Sequence, residues 1–143
     1  MSVLVIAEHD NQSLNPVTLN AVAAAAQLTG PVHILVAGKD AQSVADAAAQ
    51  VVGVEKVLLA ESEALEHVLA ENVAKQVVQL AEPYQHILFP SSTFGKNVAP
   101  RVAALLDVAQ ISDVLTIISD AEFTRPIYAG NAIATVACAD PKL

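Results

Sequence analysis

There is no tryptophan in these 143 residues, only one cysteine (Cys138), five glycines and an aromatic content of 3%. A single cysteine leaves no internal disulfide to staple the chain and points to a reducing compartment. Fifteen Asp and Glu outnumber seven Lys and Arg, giving a formal net charge of −8, and the basic residues form no cluster. A surface of that sign repels phosphate backbones and anionic membrane faces, which argues against nucleic-acid binding and membrane association. Polar residues interrupt every apolar run before the roughly 18–20 residues that a membrane span needs. No basic segment precedes the first apolar run, and Glu8, His9 and Asp10 follow it directly, so no secretory signal is expected. The expected location is the cytoplasm, or the mitochondrial matrix after removal of a transit peptide.

With aromatics so scarce, the core must come from the Val, Ile, Leu and Ala that dominate a 54% hydrophobic composition. That mixture suits a buried sheet flanked by Ala-rich helices. The length fits one domain, 1–143, able to bury a substantial core. Along the chain, short continuous apolar runs alternate with helical patterns. Strands are expected at Val3–Ala7, His33–Ala37, Lys56–Leu59 and His86–Phe89. Helices are expected from Pro16 to Leu28 with Asn15 as N-cap, from Asp40 to Gln50, from Glu66 to Ala81, and from the Pro90–Thr93 loop to about Asp107. Leu69, Val73, Val77 and Leu80 form a buried stripe on the third helix, with Glu71 and Lys75 as a favourable pair on its surface. Val98, Val102, Leu105 and Leu106 form the apolar face of the fourth, where Pro100 must sit in the first turn or kink the helix.

Four strand–helix repeats predict a three-layer α/β/α fold, Rossmann-like, with a mainly parallel sheet. The remainder changes character. Val114–Ile118, Phe123–Ala129 and Ala132–Val136 read as strands without intervening helices. Gly130-Asn131 stands where a two-residue hairpin turn with positive φ would go, so an antiparallel hairpin is expected to close the fold.

A parallel α/β sheet receives ligands beyond the carboxyl ends of its strands, and little there speaks of chemistry. The glycines are too far apart for a dinucleotide fingerprint. Glu8-His9-Asp10-Asn11-Gln12-Ser13 is acidic and glycine-free, a poor phosphate cradle. Ser91-Ser92-Thr93-Phe94-Gly95-Lys96-Asn97 offers hydroxyls, a Gly-Lys pair and a helix start. Yet Pro90 stands where a P-loop needs its first glycine, and Asn97 where it needs Ser or Thr. A helix cap and packing loop is the preferred reading. His9, His33, His67 and His86 are scattered, and only His67 and Glu71 could share a helix face. Asp107 and Asp113 flank a turn, and Cys138 lacks a catalytic context. Arg125, inside an apolar strand, reads as a snorkelling side chain or an internal ion pair. No catalytic, cofactor-binding or metal-ligating residue is assigned.

Three stretches, taken in this order and spacing, resemble the alpha subunit of electron-transfer flavoproteins. They are Val3-Leu4-Val5-Ile6-Ala7-Glu8-His9 with Leu14-Asn15-Pro16-Val17-Thr18-Leu19; Phe94-Gly95-Lys96-Asn97 with Pro100-Arg101-Val102-Ala103-Ala104-Leu105-Leu106-Asp107-Val108 and Ile111-Ser112-Asp113; and Arg125-Pro126-Ile127-Tyr128-Ala129-Gly130-Asn131-Ala132. The resemblance covers essentially the whole chain. It implies an electron carrier, not an enzyme: an alpha–beta heterodimer that shuttles electrons from flavin dehydrogenases, including those of fatty acid beta-oxidation, to a quinone oxidoreductase. It also implies an N-terminal domain of the adenine-nucleotide-hydrolase-like fold, related to the beta subunit where AMP is bound but lacking the nucleotide. FAD in that family sits mainly in the C-terminal alpha domain, which is expected to be absent here because Ala139-Asp140-Pro141-Lys142-Leu143 comes before any flavin motif. The chain is thus expected to be a fragment or a natural truncation, and no FAD contact is transferred to it. Two other classes are weighed against this. A free-standing AMP- or ATP-binding domain of the universal-stress type would need a glycine-rich loop after the fourth strand, where only Gly95 is present. An ATP-using hydrolase or ligase relative would need a Ser-Gly-Gly loop after the first, where Glu8-His9-Asp10 stands.

Overall fold

The computed structural model describes residues 2–138, so Ala139–Leu143 lie outside the described residues. Strands β1 (Ser2–Ile6), β2 (Val32–Gly38), β3 (Val54–Glu61) and β4 (Tyr84–Leu88) form one parallel sheet in the order β3-β2-β1-β4. β1 is central, and its side chains alternate between two separate cores because successive residues point to opposite faces. Val3, Val5 and Ala7 meet helices α1 (Val17–Ala25) and α2 (Gln42–Ala49) on one face. Leu4 and Ile6 meet α3 (Ala70–Leu80) and α4 (Thr93–Leu106) on the other. Three layers result, as the continuous apolar run of β1 predicts.

Local chemistry explains most boundaries. Pro16 already has helical φ and ψ, and Asn15 Oδ1 accepts the Val17 N–H at 3.0 Å, so α1 is capped as expected. Ser92 Oγ accepts the Gly95 N–H at 3.2 Å and starts α4, which Asp107 ends in a left-handed conformation. Pro100 lies mid-helix in α4, not in its first turn, on the exposed side where the unpaired Lys96 carbonyl can reach water.

Other expectations need correction. Asp40 (φ +52°) lies before α2, whose N-cap Ala41 donates its N–H to Glu61 Oε1 at 3.0 Å. α3 starts at Ala70, not Glu66: a short 3₁₀ turn, Glu63–Leu65, precedes it, Val68 is left-handed and Leu69 is extended. Leu69 is therefore 50% exposed, and the buried stripe is Ala70, Val73, Ala74 and Val77. On α4, Leu105 is exposed and Ala99 and Ala103 take up the buried face beside Val98 and Val102.

The C-terminal part forms its own antiparallel sheet of β5 (Thr116–Ile117), β6 (Glu122–Ile127) and β7 (Ala132–Ala137), in the order β5-β6-β7. Its turn is not the expected two-residue type. Ile127 pairs with Ala132, leaving four residues in the loop; Tyr128, Ala129 and Gly130 have φ of +52°, +54° and +88°, while Asn131 is right-handed helical. One face of this sheet reaches the main core through Phe123, 5% exposed, with Ile117 beside it. Asp120 fastens the β5–β6 turn: its Oδ1 accepts the Thr29 N–H, and its carbonyl accepts from His86 Nε2, both at 2.9 Å.

Candidate functional site

The strand order changes direction between β1 and β4, so a ligand crevice belongs beyond their carboxyl ends. The chain's own loop folds over the β1–β2 side of that end, and an open groove borders the β4 side. The Glu8 N–H donates to Thr18 Oγ1 at 3.0 Å, and His9 and Leu14 form an antiparallel bridge that folds the loop back. His9 Nε2 donates to the Ala37 carbonyl at 2.9 Å while its Nδ1 accepts the Asn11 N–H at 3.0 Å. Burial holds the His9 ring below its ordinary pKa, against the opposing pull of the Ala37 carbonyl and Asp10. Asn11 (φ +70°) spans the gap: its Oδ1 accepts the Lys39 N–H at 3.0 Å and its Nδ2 donates to the Glu66 carbonyl at 2.7 Å. Asp10 accepts the N–H groups of Ser13 and Gln12, which lower its carboxyl pKa.

Beyond β4, Gly95 presses against the carbonyl of Pro90 so closely that a Cβ there would overlap it. The loop is thus a packing junction. Lys96 pairs with Asp113 at 3.4 Å, and Ser91 Oγ donates to the same carboxylate at 2.8 Å. The Ser91 bond is the larger of the influences that hold Asp113 below the ordinary carboxylate range; Lys96 and Arg125 assist. The Gly95 amide and the Lys96 ammonium, the groups here that a phosphate would draw on, are thus engaged by Ser92 and Asp113.

A groove of about 580 Å³ runs beside β4, between α1, the start of α4 and the 110–117 segment, with Ala24, His86, Ile111 and Phe123 in its walls. His86 is 3% exposed; its Nε2 donates to the Asp120 carbonyl, and its Nδ1, like Glu8 Oε2, is buried with no partner among the described residues. The remaining candidates are dispersed. His33 Nδ1 and Tyr84 Oη share a hydrogen bond of 2.9 Å between β2 and β4. His67 precedes α3, off the helix that was to carry it with Glu71, and Glu71–Lys75 is not among the ion pairs of the described residues. Arg125 Nε donates to the Ser112 carbonyl at 3.0 Å, an internal tie. Asp107 and Asp113 both occupy left-handed turn positions, and Cys138 is a half-buried free thiol. No group of three His, Cys, Asp or Glu among the described residues could hold a metal ion, and none of their helices is long and apolar enough to cross a membrane.

An acidic α/β layer with its first loop folded over the sheet end, and a small antiparallel sheet attached, matches the electron transfer flavoprotein domain family over residues 3–143. The chain belongs to that family. It is 56% identical over 136 residues to the electron transfer flavoprotein subunit alpha of Pseudomonas aeruginosa, covering 95% of this chain and 44% of that protein. The subunit alpha of Paracoccus denitrificans is 47% identical over 142 residues, 99% of this chain and 46% of its own. The mitochondrial subunit alpha of Dictyostelium discoideum is 49% identical over 146 residues, 96% and 41%. The chain therefore spans less than half the length of these relatives. The family residues quoted from the sequence now have physical roles: Leu14-Asn15-Pro16 caps α1, Phe94-Gly95 packs α4 on Pro90, and Tyr128-Ala129-Gly130 forms the left-handed turn. Local pattern gave no partner for Asn11, Thr29, His86 or Asp120. Their partners lie 28 to 91 residues away, beyond the reach of any spacing rule.

Proposed function

We propose that this chain is the non-catalytic scaffold and partner-docking domain of an electron transfer flavoprotein alpha subunit. Residues 1–143 then form a single N-terminal domain, and FAD in the intact heterodimer is held mainly by a C-terminal domain outside them. A beta subunit docks on this domain, and the assembly carries electrons from flavin dehydrogenases to a quinone oxidoreductase, in a bacterial cytoplasm or a mitochondrial matrix. The observation that carries the reading is the loop after β1: His9 and Asn11 fold it over the carboxyl ends of β1 and β2, with their hydrogen bonds made within the chain. The family match and the subunit alpha names of the relatives support the electron-carrier role.

The outer face of the small sheet supports docking. Thr116, Thr124 and Thr135 form one row and Pro126 with Ile133 another, Glu122 is the face's one charge, and Tyr128 and Ile133 are 77% and 68% exposed. Such a patch, with a single charge at its edge, on a chain of net charge −8 suits a protein partner. Sedimentation of the chain mixed with a family beta subunit tests this. A one-to-one complex weakened about tenfold or more by Ile133→Asp is expected, since burying one unpaired charge at an interface costs at least about 1.4 kcal/mol. Failure of the two proteins to co-sediment would overturn the docking role.

A further inference from the structure

His9 uses both ring nitrogens, and the two bonds fix its protonation. The Ala37 carbonyl has only lone pairs, so Nε2 must carry a hydrogen; the Asn11 N–H has only a hydrogen, so Nδ1 must present a lone pair. Both bonds exist together only for the neutral imidazole. Asn11 is then the bolt, since its side chain joins the Lys39 amide after β2 to the Glu66 carbonyl before α3. Gly38 lies beneath, and a Cβ there would stand 2.8 Å from His9 Cε1 and closer still to Asn11 Oδ1, so the ring and the amide fill space kept by the glycine.

We propose that His9 is a proton-operated latch: neutral, it holds Asn11 across the carboxyl ends of β1 and β2; protonated, it releases Asn11 and opens that end of the sheet to solvent. A proton from solvent adds to the Nδ1 lone pair, the bond to the Asn11 N–H is lost, and two N–H groups face each other. The ring or the loop has to move. The charged groups of the elements nearby are mostly acidic. Glu8 and Asp10 come from the loop itself, Lys39 and Asp40 from the β2–α2 connection, Glu61 from the end of β3, and Glu66 and His67 from the turn before α3. Glu61 is engaged by the Ala41 N–H and Lys39 stands 3.8 Å from Glu66, so the balance is negative and welcomes an imidazolium that has reached water. An open depression of about 390 Å³ lined by Asp10, Asn11, Lys39 and Glu66 lies on the solvent side of the loop. In the closed loop burial opposes the charge and keeps His9 below its ordinary value, which sets the transition below about pH 6.5. This mechanism is independent of the docking role.

Amide hydrogen exchange and ring-nitrogen NMR on the chain, from about pH 7.5 to about pH 5, test it. The Nε2–H tautomer is expected at the upper end. As His9 titrates, protection of the Asn11 and Lys39 amides should fall about tenfold for each pH unit through the transition, while Val5 and Leu35 keep theirs. Asn11→Ala, which leaves the ring untouched, should expose the Lys39 amide at every pH and return His9 toward its ordinary pKa. His67→Gln should change nothing. Unchanged Asn11 protection through the His9 titration, or simultaneous loss at Val5 and Leu35, would overturn the latch.

Discussion

Replacing Gly95 by Ala sets two effects of opposite sign against each other. Gly95 sits in the first turn of α4 and is not among the glycines with positive φ, so helix propensity alone favours alanine by about 1 kcal/mol. The contact opposes it. The new Cβ would stand 2.9 Å from the carbonyl carbon of Pro90 and closer still to its oxygen, and neither atom belongs to a flexible side chain that could step aside. Forcing the helix start away from Pro90 is an overpacking cost of about 1–3 kcal/mol. The shift also draws the Gly95 N–H from Ser92 Oγ, now 3.2 Å away, and weakens a cap worth about 1 kcal/mol. Subtracting the propensity gain leaves a net loss of about 1–3 kcal/mol. For a domain of this size the expected fall in Tm is about 3–9 °C, read by circular dichroism on heating. A G95A variant as stable as the parent, or more so, would refute the claim that this glycine exists for a packing junction.

Gly130→Val should lose about 1–2 kcal/mol in a urea melt because its φ of +88° resists a β-branched side chain, whereas Asn131→Val, at a right-handed position, should stay within about 0.5 kcal/mol. Phe123→Ala, which removes the anchor of the small sheet from the core, should cost about 3–5 kcal/mol and raise proteolysis within residues 116–137; an unchanged melt would place the anchor elsewhere. His9 takes up a proton less readily folded than unfolded, so stability is full above about pH 6.5 and declines below it, by at most about 1.4 kcal/mol per pH unit, until the folded ring titrates. His9→Gln should flatten that decline. Asp113 and Asp120 are held below the ordinary carboxylate value, so their contribution is present above about pH 4 and lost as pH falls through their folded values; Asp120→Asn should reduce the acid sensitivity of the melt.

The parallel layer was legible because burial on both faces writes itself as an unbroken apolar run, as in Val3-Leu4-Val5-Ile6, and because Asn15-Pro16 and Ser92 carry capping chemistry in their side chains. The start of α3 was not. His67, Val68 and Leu69 continue a helical spacing that the left-handed Val68 interrupts, and no local residue announces the break. At the hairpin tip the glycine cue was sound for Gly130 and misleading for Asn131, because Tyr128 and Ala129 take the left-handed conformations that sequence rules reserve for Gly and Asn. The long-range contacts were hidden for a different reason. Asn11 and Glu66 lie 55 residues apart and Thr29 and Asp120 lie 91 apart, so only the assembled sheet brings them together.

The claim that this chain serves as scaffold while the flavin is held elsewhere is tested most directly by titrating FAD, AMP and ATP into it, following heat by calorimetry and flavin fluorescence. With the β1 loop locked by His9 and Asn11 and Lys96 engaged by Asp113, no binding heat is expected for any of the three, and FAD should keep the fluorescence of the free cofactor. Stoichiometric quenching of FAD by residues Met1 to Leu143 alone, or micromolar AMP or ATP binding lost on Lys96→Ala, would contradict it.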